Sequence, residues 1–484
     1  MIRSSYLFAL LFLFALAPRV FADSRPNIIF LLADDQCTYS MGCYGTPNVK
    51  TPNMDSLARD GMTFDSHYDT TAICMASRVN IMTGMFEYKT GCNFDHGPLL
   101  TQHWKKTYPI LLKETGYQTA FAGKFGFEIA KEPNQKRGVL PQDDFDRWGG
   151  GPSQTNYDTK RNKSMVKYAK EYPHSTLSYG AFARDFIRDA GKSDKPFCLS
   201  VSFKAPHMPA TPDPQFNDVY AGASFVKPKN YGRRYGEHFS LQSKQGRQFE
   251  RFHSWNYSDK YDKVMATYYQ QIYAIDVALG MIRKTLAETE QTNDTVIIYT
   301  SDNGFLCGSH GYGSKVLPYE EASRVPLIIY DPRHKNSGRQ LRCSRLTGNV
   351  DFAPTILRLA GLPVPTNVDG KDLMQLYDDP NSAFHDYLPL INVWGPKKVN
   401  SLAIVTEKWK YIHWPFSEGD FERAEELYNL GEDRLERTNL IADELYVEKR
   451  KEMRAIYDQT VKNWQKDAVP YHDYQRFGKW FERQ

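Results

Sequence analysis

The sequence predicts an α/β fold: a large, mostly parallel sheet sandwiched by helices, with a smaller C-terminal antiparallel sheet plus helix. Two observations carry the first part. Continuous apolar runs of strand length alternate with segments apolar at helical spacing, as in a sheet buried on both faces. Several of those runs also end in charged or metal-competent residues, which is where ligands bind in such sheets. A third observation is the change beyond residue 385, where a long parallel pattern gives way to short strands and one amphipathic stretch.

Taken in order, the chain opens with Arg3, an apolar run from Tyr6 to Ala17, and the small-x-small site Val20-Phe21-Ala22. This reads as a cleaved signal peptide over residues 1–22, too short for a membrane span. It predicts a mature chain from Asp23 that is secreted or periplasmic, with an uncleaved anchor as the alternative and no stable membrane insertion elsewhere. A catalytic unit over 23–385 follows. "NIIFLLADD" (27–35) is a buried strand ending in Asp34 and Asp35, and 51–60 is a helix. The segment 74–84 is a helix opened by Cys74 and closed by Gly84. The spacing predicts a helix over 105–115, and "YQTAFAGK" (117–124) is a strand ending at Lys124. "PFCLSVSFKAPH" (196–207) is a strand and a loop carrying Lys204 and His207. A long helix over 260–288 is apolar at Met265, Tyr268, Ile272, Ile275, Leu279 and Ile282. "TVIIYTSDNG" (295–304) is another buried strand, ending in Asp302 and Asn303. "VDFAPTILRLAGLP" (350–363) is a helix closed by Gly361. In the C-terminal α+β subdomain (386–484), "SLAIVTEKWKYIHW" (401–414) reads as two strands of a hairpin, and 441–466 as an amphipathic helix. No internal repeat or low-complexity segment is present.

A net charge of +4 over 484 residues suits an anionic partner but excludes the strong bias of a nucleic-acid binder. Seven cysteines, with no C-x-x-C spacing, argue against structural zinc. The number is odd in a disulfide-permissive compartment, which singles out Cys74 for another task. No disulfide is assigned.

At the strand ends, Asp34, Asp35, Asp302 and Asn303 supply oxygen ligands only, the preference of Ca²⁺ or Mg²⁺. One such pair alone is equally a capping turn; a second pair after a second strand points to metal. Cys74 stands at a helix N-terminus, where backbone N–H groups and the dipole favour an anion, and Arg78 lies one turn on, on the same face.

These residues carry a resemblance. C-M-A-S-R (74–78) matches the C-x-[PA]-S-R core of the type I, formylglycine-dependent sulfatases of the alkaline phosphatase superfamily, with Thr83-Gly84 following. "PNIIFLLADDQ" and "TPNMDSLARDGMTF" precede it; "AGK", "SFKAPH", "TSDNG", "YEEASRVPLII" and "ELYNLGEDRLERTNL" follow in the family's order. The resemblance implies an alkaline phosphatase-like fold and a sulfuric ester hydrolase. It implies that a maturase oxidises Cys74 to formylglycine, and that one Ca²⁺ is held by Asp34, Asp35, Asp302, Asn303 and the modified Cys74. One hydroxyl of the aldehyde hydrate attacks sulfur; the second drives collapse to aldehyde and expels sulfate. Arg78 supports the nucleophile, Lys124 and Lys315 neutralise the sulfate oxygens, and His207 protonates the leaving oxygen. His310, in "GSHGYGSK", is a further substrate contact or catalytic group.

The family commonly has a histidine two residues after the strand-end lysine, where this chain has Gly126. His96, His310 or Glu128 are the candidate substitutes. Residues 225–262 interleave aromatics with Lys and Arg and read as a rim for sugars and sulfates, or as a solvated loop. Export and this rim favour a sulfated saccharide as substrate partner. The alternatives are a phosphate or phosphonate ester hydrolase of the same superfamily, and a non-catalytic binder of sulfated glycans.

Overall fold

A computed structural model describes residues 25–483; the expected signal peptide at 1–22 lies outside them. The large sheet has eight strands. They are β1 (Asn27–Ala33), β2 (Met62–Phe64), β3 (Gln118–Lys124), β4 (Arg147–Gly151), β5 (Phe197–Ser202), β6 (Thr295–Ser301), β7 (Leu327–Tyr330) and β8 (Leu341–Cys343). Their order is β8-β2-β7-β6-β1-β5-β3-β4. Only β7 runs against its neighbours. The register pairs Ala33 with Ser301, Leu32 with Ser202, and Ser202 with Gly123. The carboxyl ends of β6, β1, β5 and β3 therefore sit side by side on one edge.

Side chains of successive strand residues face opposite ways, and β1 divides the core accordingly. Ile29, Leu31 and Ala33 join a cluster with helices α1 (Pro52–Asp60), α4 (Ser175–Ala190) and α6 (Tyr261–Glu288). Ile28, Phe30 and Leu32 join one with α2 (Cys74–Thr83), α3 (Tyr108–Glu114) and α7 (Phe352–Leu359). The sheet is buried on both faces at its centre, which is why β1, β5 and β6 are buried almost throughout. The helix expected over 105–115 is interrupted. A short turn ends at Trp104, and α3 begins at Tyr108 with Pro109 in its first turn, where a missing N–H costs nothing.

The C-terminal sheet has four antiparallel strands, and the hairpin expected over 401–414 is its central pair. These are β9 (Leu388–Asn392), β10 (Ser401–Val405), β11 (Trp409–Trp414) and β12 (Ala424–Asn429), in that order. One face packs on the main body through Leu390, Val405, Ile412 and Trp414 against Tyr312 and Tyr319. The other buries Leu402, Ile404 and Tyr411 against Met453, Tyr457 and Trp464 of α8 (Val447–Asp467). All seven cysteines are free thiols. No helix among the described residues is long and apolar enough to cross a membrane.

Candidate active site

The strand edge gathers the chemistry. β1 delivers Asp34 and Asp35, whose side chains would point to opposite faces if the strand continued. Asp35 instead turns left-handed (φ 74°), and Tyr268 of α6 donates to its carbonyl at 2.7 Å. Both carboxylates then face Lys315, whose Nζ lies 3.9 Å from Asp34 Oδ1. Lys124 Nζ bonds Asp34 Oδ2 at 2.5 Å, and Lys315 Nζ bonds Asp35 Oδ1. β6 delivers Asp302, which accepts from Arg78 Nε at 2.8 Å, and Asn303, whose Nδ2 donates to Asp35 Oδ1 at 2.7 Å. Cys74 is the first residue of α2, and Ile73 before it is extended. Lys315 Nζ donates to Cys74 Sγ at 2.8 Å, and Cys74 Sγ approaches Asp34 Oδ1 at 3.4 Å. His207, on the loop after β5, has its Nε2 3.8 Å from Asp35 Oδ2.

Arg78 spans the floor of the site. Its Nη1 donates to Lys124 O and to Ser202 Oγ, each at 2.6 Å, and its Nη2 lies 3.7 Å from Asp34 Oδ2. The guanidinium thus ties together the ends of β1, β3, β5 and β6.

Three carboxylates and three cations are buried together, and the balance sets the protonation states. Burial opposes charge on Asp34, but Lys124 and the other neighbouring cations outweigh it and hold the carboxyl well below its usual range. Burial and then the Asp34 charge push Asp302 up to about 6, against Arg78. Burial and Asp34 push the Cys74 thiol up to about 11, so at neutral pH it is a protonated, weak nucleophile. Burial drives His207 down to about 4.

The donor set can be tested against a hard cation. Ligand atoms of Asp34, Asp35, Cys74 and His207 lie within 4.8 Å of one another. Asn303 Oδ1 is buried with no hydrogen-bond partner, an oxygen with an unused lone pair beside two carboxylates. The oxygens of Asp34, Asp35 and Asn303 fit Ca²⁺ or Mg²⁺; a thiol and an imidazole are not donors such ions prefer.

The protein-family model described as Sulfatase matches residues 26–362. The chain belongs to the sulfatase family. A second model, for the C-terminal region of N-sulphoglucosamine sulphohydrolase, matches residues 308–475. N-acetylglucosamine-6-O-sulfatase of Bacteroides thetaiotaomicron is 27% identical, over 94% of this chain and 89% of its own length. A solved structure in complex with its substrate D-glucosamine-2-N,6-O-disulfate superposes with a TM-score of 0.74 at 26% identity, covering 95% of this chain and all of that one. The phosphonate monoester hydrolase of Agrobacterium radiobacter shares the fold, with a TM-score of 0.74 at 22% identity over 92% of this chain and 96% of its own.

This sulfatase, a sulfuric ester hydrolase, brings Asp34, Asp35, Cys74, Arg78, Lys124, His207, Asp302, Asn303 and Lys315 into one cluster. His310 is not brought in. It is fully buried, with Asn230 Nδ2 2.9 Å from its Nε2 and Tyr235 O 3.0 Å from its Nδ1, so neither ring nitrogen is free for a substrate. The other candidate substitutes are engaged elsewhere: His96 Nε2 lies 2.8 Å from Val393 O, and Glu128 accepts from Gly138 N at 2.8 Å. At Gly126 the backbone is left-handed (φ 90°), and a Cβ there would stand 2.3 Å from Arg78 Cδ. The space of a side chain at 126 is taken by the stem of Arg78.

The expected rim at 225–262 is only partly a rim. Phe225, Phe239, Phe252 and Tyr257 are buried, and Phe239 stacks on Tyr319 at 3.8 Å. Sequence reasoning missed Ser202 as the anchor of Arg78 and Trp394 as a wall beside the Cys74 segment. A hydroxyl at the end of a strand was the available signal for Ser202. Nothing local marks Trp394, which arrives from the C-terminal sheet.

Proposed function

We propose that this sulfatase hydrolyses sulfate esters of a sulfated carbohydrate through formylglycine made from Cys74, with one Ca²⁺ held by Asp34, Asp35, Asp302, Asn303 and the modified Cys74. The observation that carries the reading is Cys74 at the first turn of α2, in contact with Lys315 and Asp34, with Arg78 one turn further on. A thiol pushed up to about 11 is ill suited to attack sulfur, and a thiosulfate product would have no second hydroxyl through which to expel sulfate. Formylglycine would supply the hydroxyl nucleophile, and Ca²⁺ would supply positive charge to stabilise it.

The chain's own residues do the rest. Arg78, fixed by four strand ends, holds positive charge at the foot of the nucleophile. Lys124 and Lys315 neutralise the equatorial sulfate oxygens as charge builds. His207 gives its proton to the leaving oxygen; the arriving sulfate's negative charge favours the protonated ring that burial otherwise disfavours. The carbohydrate class is supported by the N-acetylglucosamine-6-O-sulfatase relative and the saccharide-bound structural neighbour. The reading includes export through the segment 1–22, a formylglycine-generating maturase as biosynthetic partner, a catalytic unit over 23–385 and a supporting unit over 386–484.

The test is expression with a competent maturase, mass spectrometry of the peptide containing residue 74, and sulfate release across a panel of sulfated saccharides. An aldehyde at 74 with turnover is expected, and Cys74→Ala should release no sulfate. Full activity from protein whose Cys74 is entirely a thiol would sink the proposal.

A further inference from the structure

Helix α5 (Arg247–Ser254) carries two arginines, Arg247 and Arg251, one turn apart, on one face of the helix. Each is fastened to a wall of the candidate site. The Arg247 guanidinium stands over Trp394, 4.4 Å from the ring centroid. Trp394 packs in turn on the small cluster of Ile73, Ala76 and Val316, the residues flanking Cys74 and Lys315. Arg251 stands over Trp255 at 4.0 Å, and its Nη1 donates to Ser314 Oγ at 2.8 Å, one residue before Lys315.

Two guanidiniums on one face repel, and structural arginines normally have a carboxylate between or beside them. Here, among the described residues, neither makes an ion pair. The acids in electrostatic reach are otherwise engaged: Asp35 with Lys315, and Asp95 with the Gly395 N–H at 2.8 Å. Cys74 lies within the same electrostatic reach of Arg247. Burial and then the Arg247 charge push Arg251 down to about 10, the sign of a positive charge lacking its counter-charge. Stacking on tryptophan fixes each planar fork before anything binds, so little rotamer freedom is lost when an anion arrives.

We propose that Arg247 and Arg251 form a second anion subsite beside the scissile sulfate, taking a further sulfate or a carboxylate on the same saccharide. This rests on the sulfatase reading and deepens it: the substrate is a polyanionic saccharide, bound at two anionic groups at once.

Binding without turnover separates the two claims. The Cys74→Ala protein, in calcium-containing buffer, is titrated calorimetrically with three disaccharides. One is from κ-carrageenan, with one sulfate per disaccharide. The second is from ι-carrageenan, with two. The third is from chondroitin 6-sulfate, with one sulfate and one carboxylate. A doubly anionic probe should bind roughly tenfold more tightly than the κ probe, as one charge-assisted contact supplies. That ratio should fall to about one in Arg247→Ala/Arg251→Ala, and likewise in Arg247→Gln/Arg251→Gln, which keeps more of the packing on the two tryptophans. Preference for the ι probe assigns the subsite to sulfate; preference for the chondroitin probe assigns it to carboxylate. Equal binding of all three probes, or a ratio that survives both double variants, overturns the subsite. The catalytic reading stands or falls separately, on sulfate release by the matured Cys74 protein.

Discussion

Asp302 does two jobs with one carboxylate. Oδ2 accepts from Arg78 Nε, and Oδ1 accepts from the Asp35 N–H at 3.3 Å, so it joins the two strand ends that hold the proposed Ca²⁺ ligands. Asp302→Ala is expected to weaken calcium binding by roughly tenfold or more and to abolish most sulfate release, measured by calcium titration and turnover. Chelation of the wild type should remove activity, and calcium should restore it. Gly126 makes an opposite kind of prediction. Because a Cβ there meets Arg78 Cδ at 2.3 Å on a left-handed backbone, Gly126→His should not restore a lost catalytic group. It should cost about 1–3 kcal/mol of stability and lower turnover by displacing Arg78. Undiminished thermal stability with raised activity would count against this account. The strand-end logic made Asp34, Asp35, Lys124, Asp302 and Asn303 legible, because a buried parallel strand leaves its charged residues at the edge, whereas Cys74 and Arg78 were legible from their helix and motif. His310 was expected at the substrate from its Gly-rich loop, and that loop instead folds it under Asn230 and Glu321. The placement of Trp394 and its stacking under Arg247 were illegible, because Ile73, Ala76 and Arg247 lie more than a hundred residues from it.

Among elements, the edge strands of the C-terminal sheet explain where sequence reading stopped. β9 contains Pro389, which demotes a run to an edge strand or none, and β9 is indeed an edge. β12 carries Glu425 and Glu426, yet Glu426 is buried, accepting from Trp414 Nε1 at 3.0 Å and Tyr428 OH at 2.6 Å. A polar strand whose acids are satisfied internally has no apolar signature. The central strand β11 holds His413, buried to 2% exposure, against Tyr457 of α8, with no hydrogen bond to either ring nitrogen. Burial drives it down to about 4, below the usual 6.5. The unfolded chain therefore takes up a proton below about 6.5 that the folded chain refuses until about 4. Its contribution is full above 6.5 and is lost as pH falls toward 4, with a slope of at most about 1.4 kcal/mol per pH unit. His413→Phe keeps the ring packing and removes the titration. Denaturation between pH 7 and 4 should show a shallower loss of stability than in the wild type; identical slopes would show that His413 does not titrate in this window.

At the scale of the whole molecule, the C-terminal sheet is joined to the catalytic body by apolar packing and by one buried ionic knot. Lys410 of β11 is fully buried, with Nζ 2.8 Å from Glu320 Oε1 and 2.7 Å from Glu436 Oε1. Glu320 also binds Arg324 Nε at 2.8 Å, and it begins the short helix that follows the Lys315 loop. Burial works against every charge here. Lys410 leads the cations that outweigh it and hold Glu320 down to about 2, whereas burial dominates at Glu436 and pushes it up to about 7. Replacing Lys410 by methionine keeps the volume but strands Glu436, while Glu320 keeps Arg324, a loss of about 3–5 kcal/mol for a broken buried pair. Glu436 can relieve part of that by taking a proton. Without Lys410 its folded pKa rises further above 4.5, so the variant gains back stability as pH falls and loses it as pH rises. Lys410→Met should therefore show a larger deficit by chemical denaturation at pH 8 than at pH 6. It should also lower turnover, because the helix it releases carries the strain back to Lys315. A deficit below about 1 kcal/mol, smaller than any buried pair should show, or one that does not change with pH, would mean that apolar packing alone holds the sheet to the site.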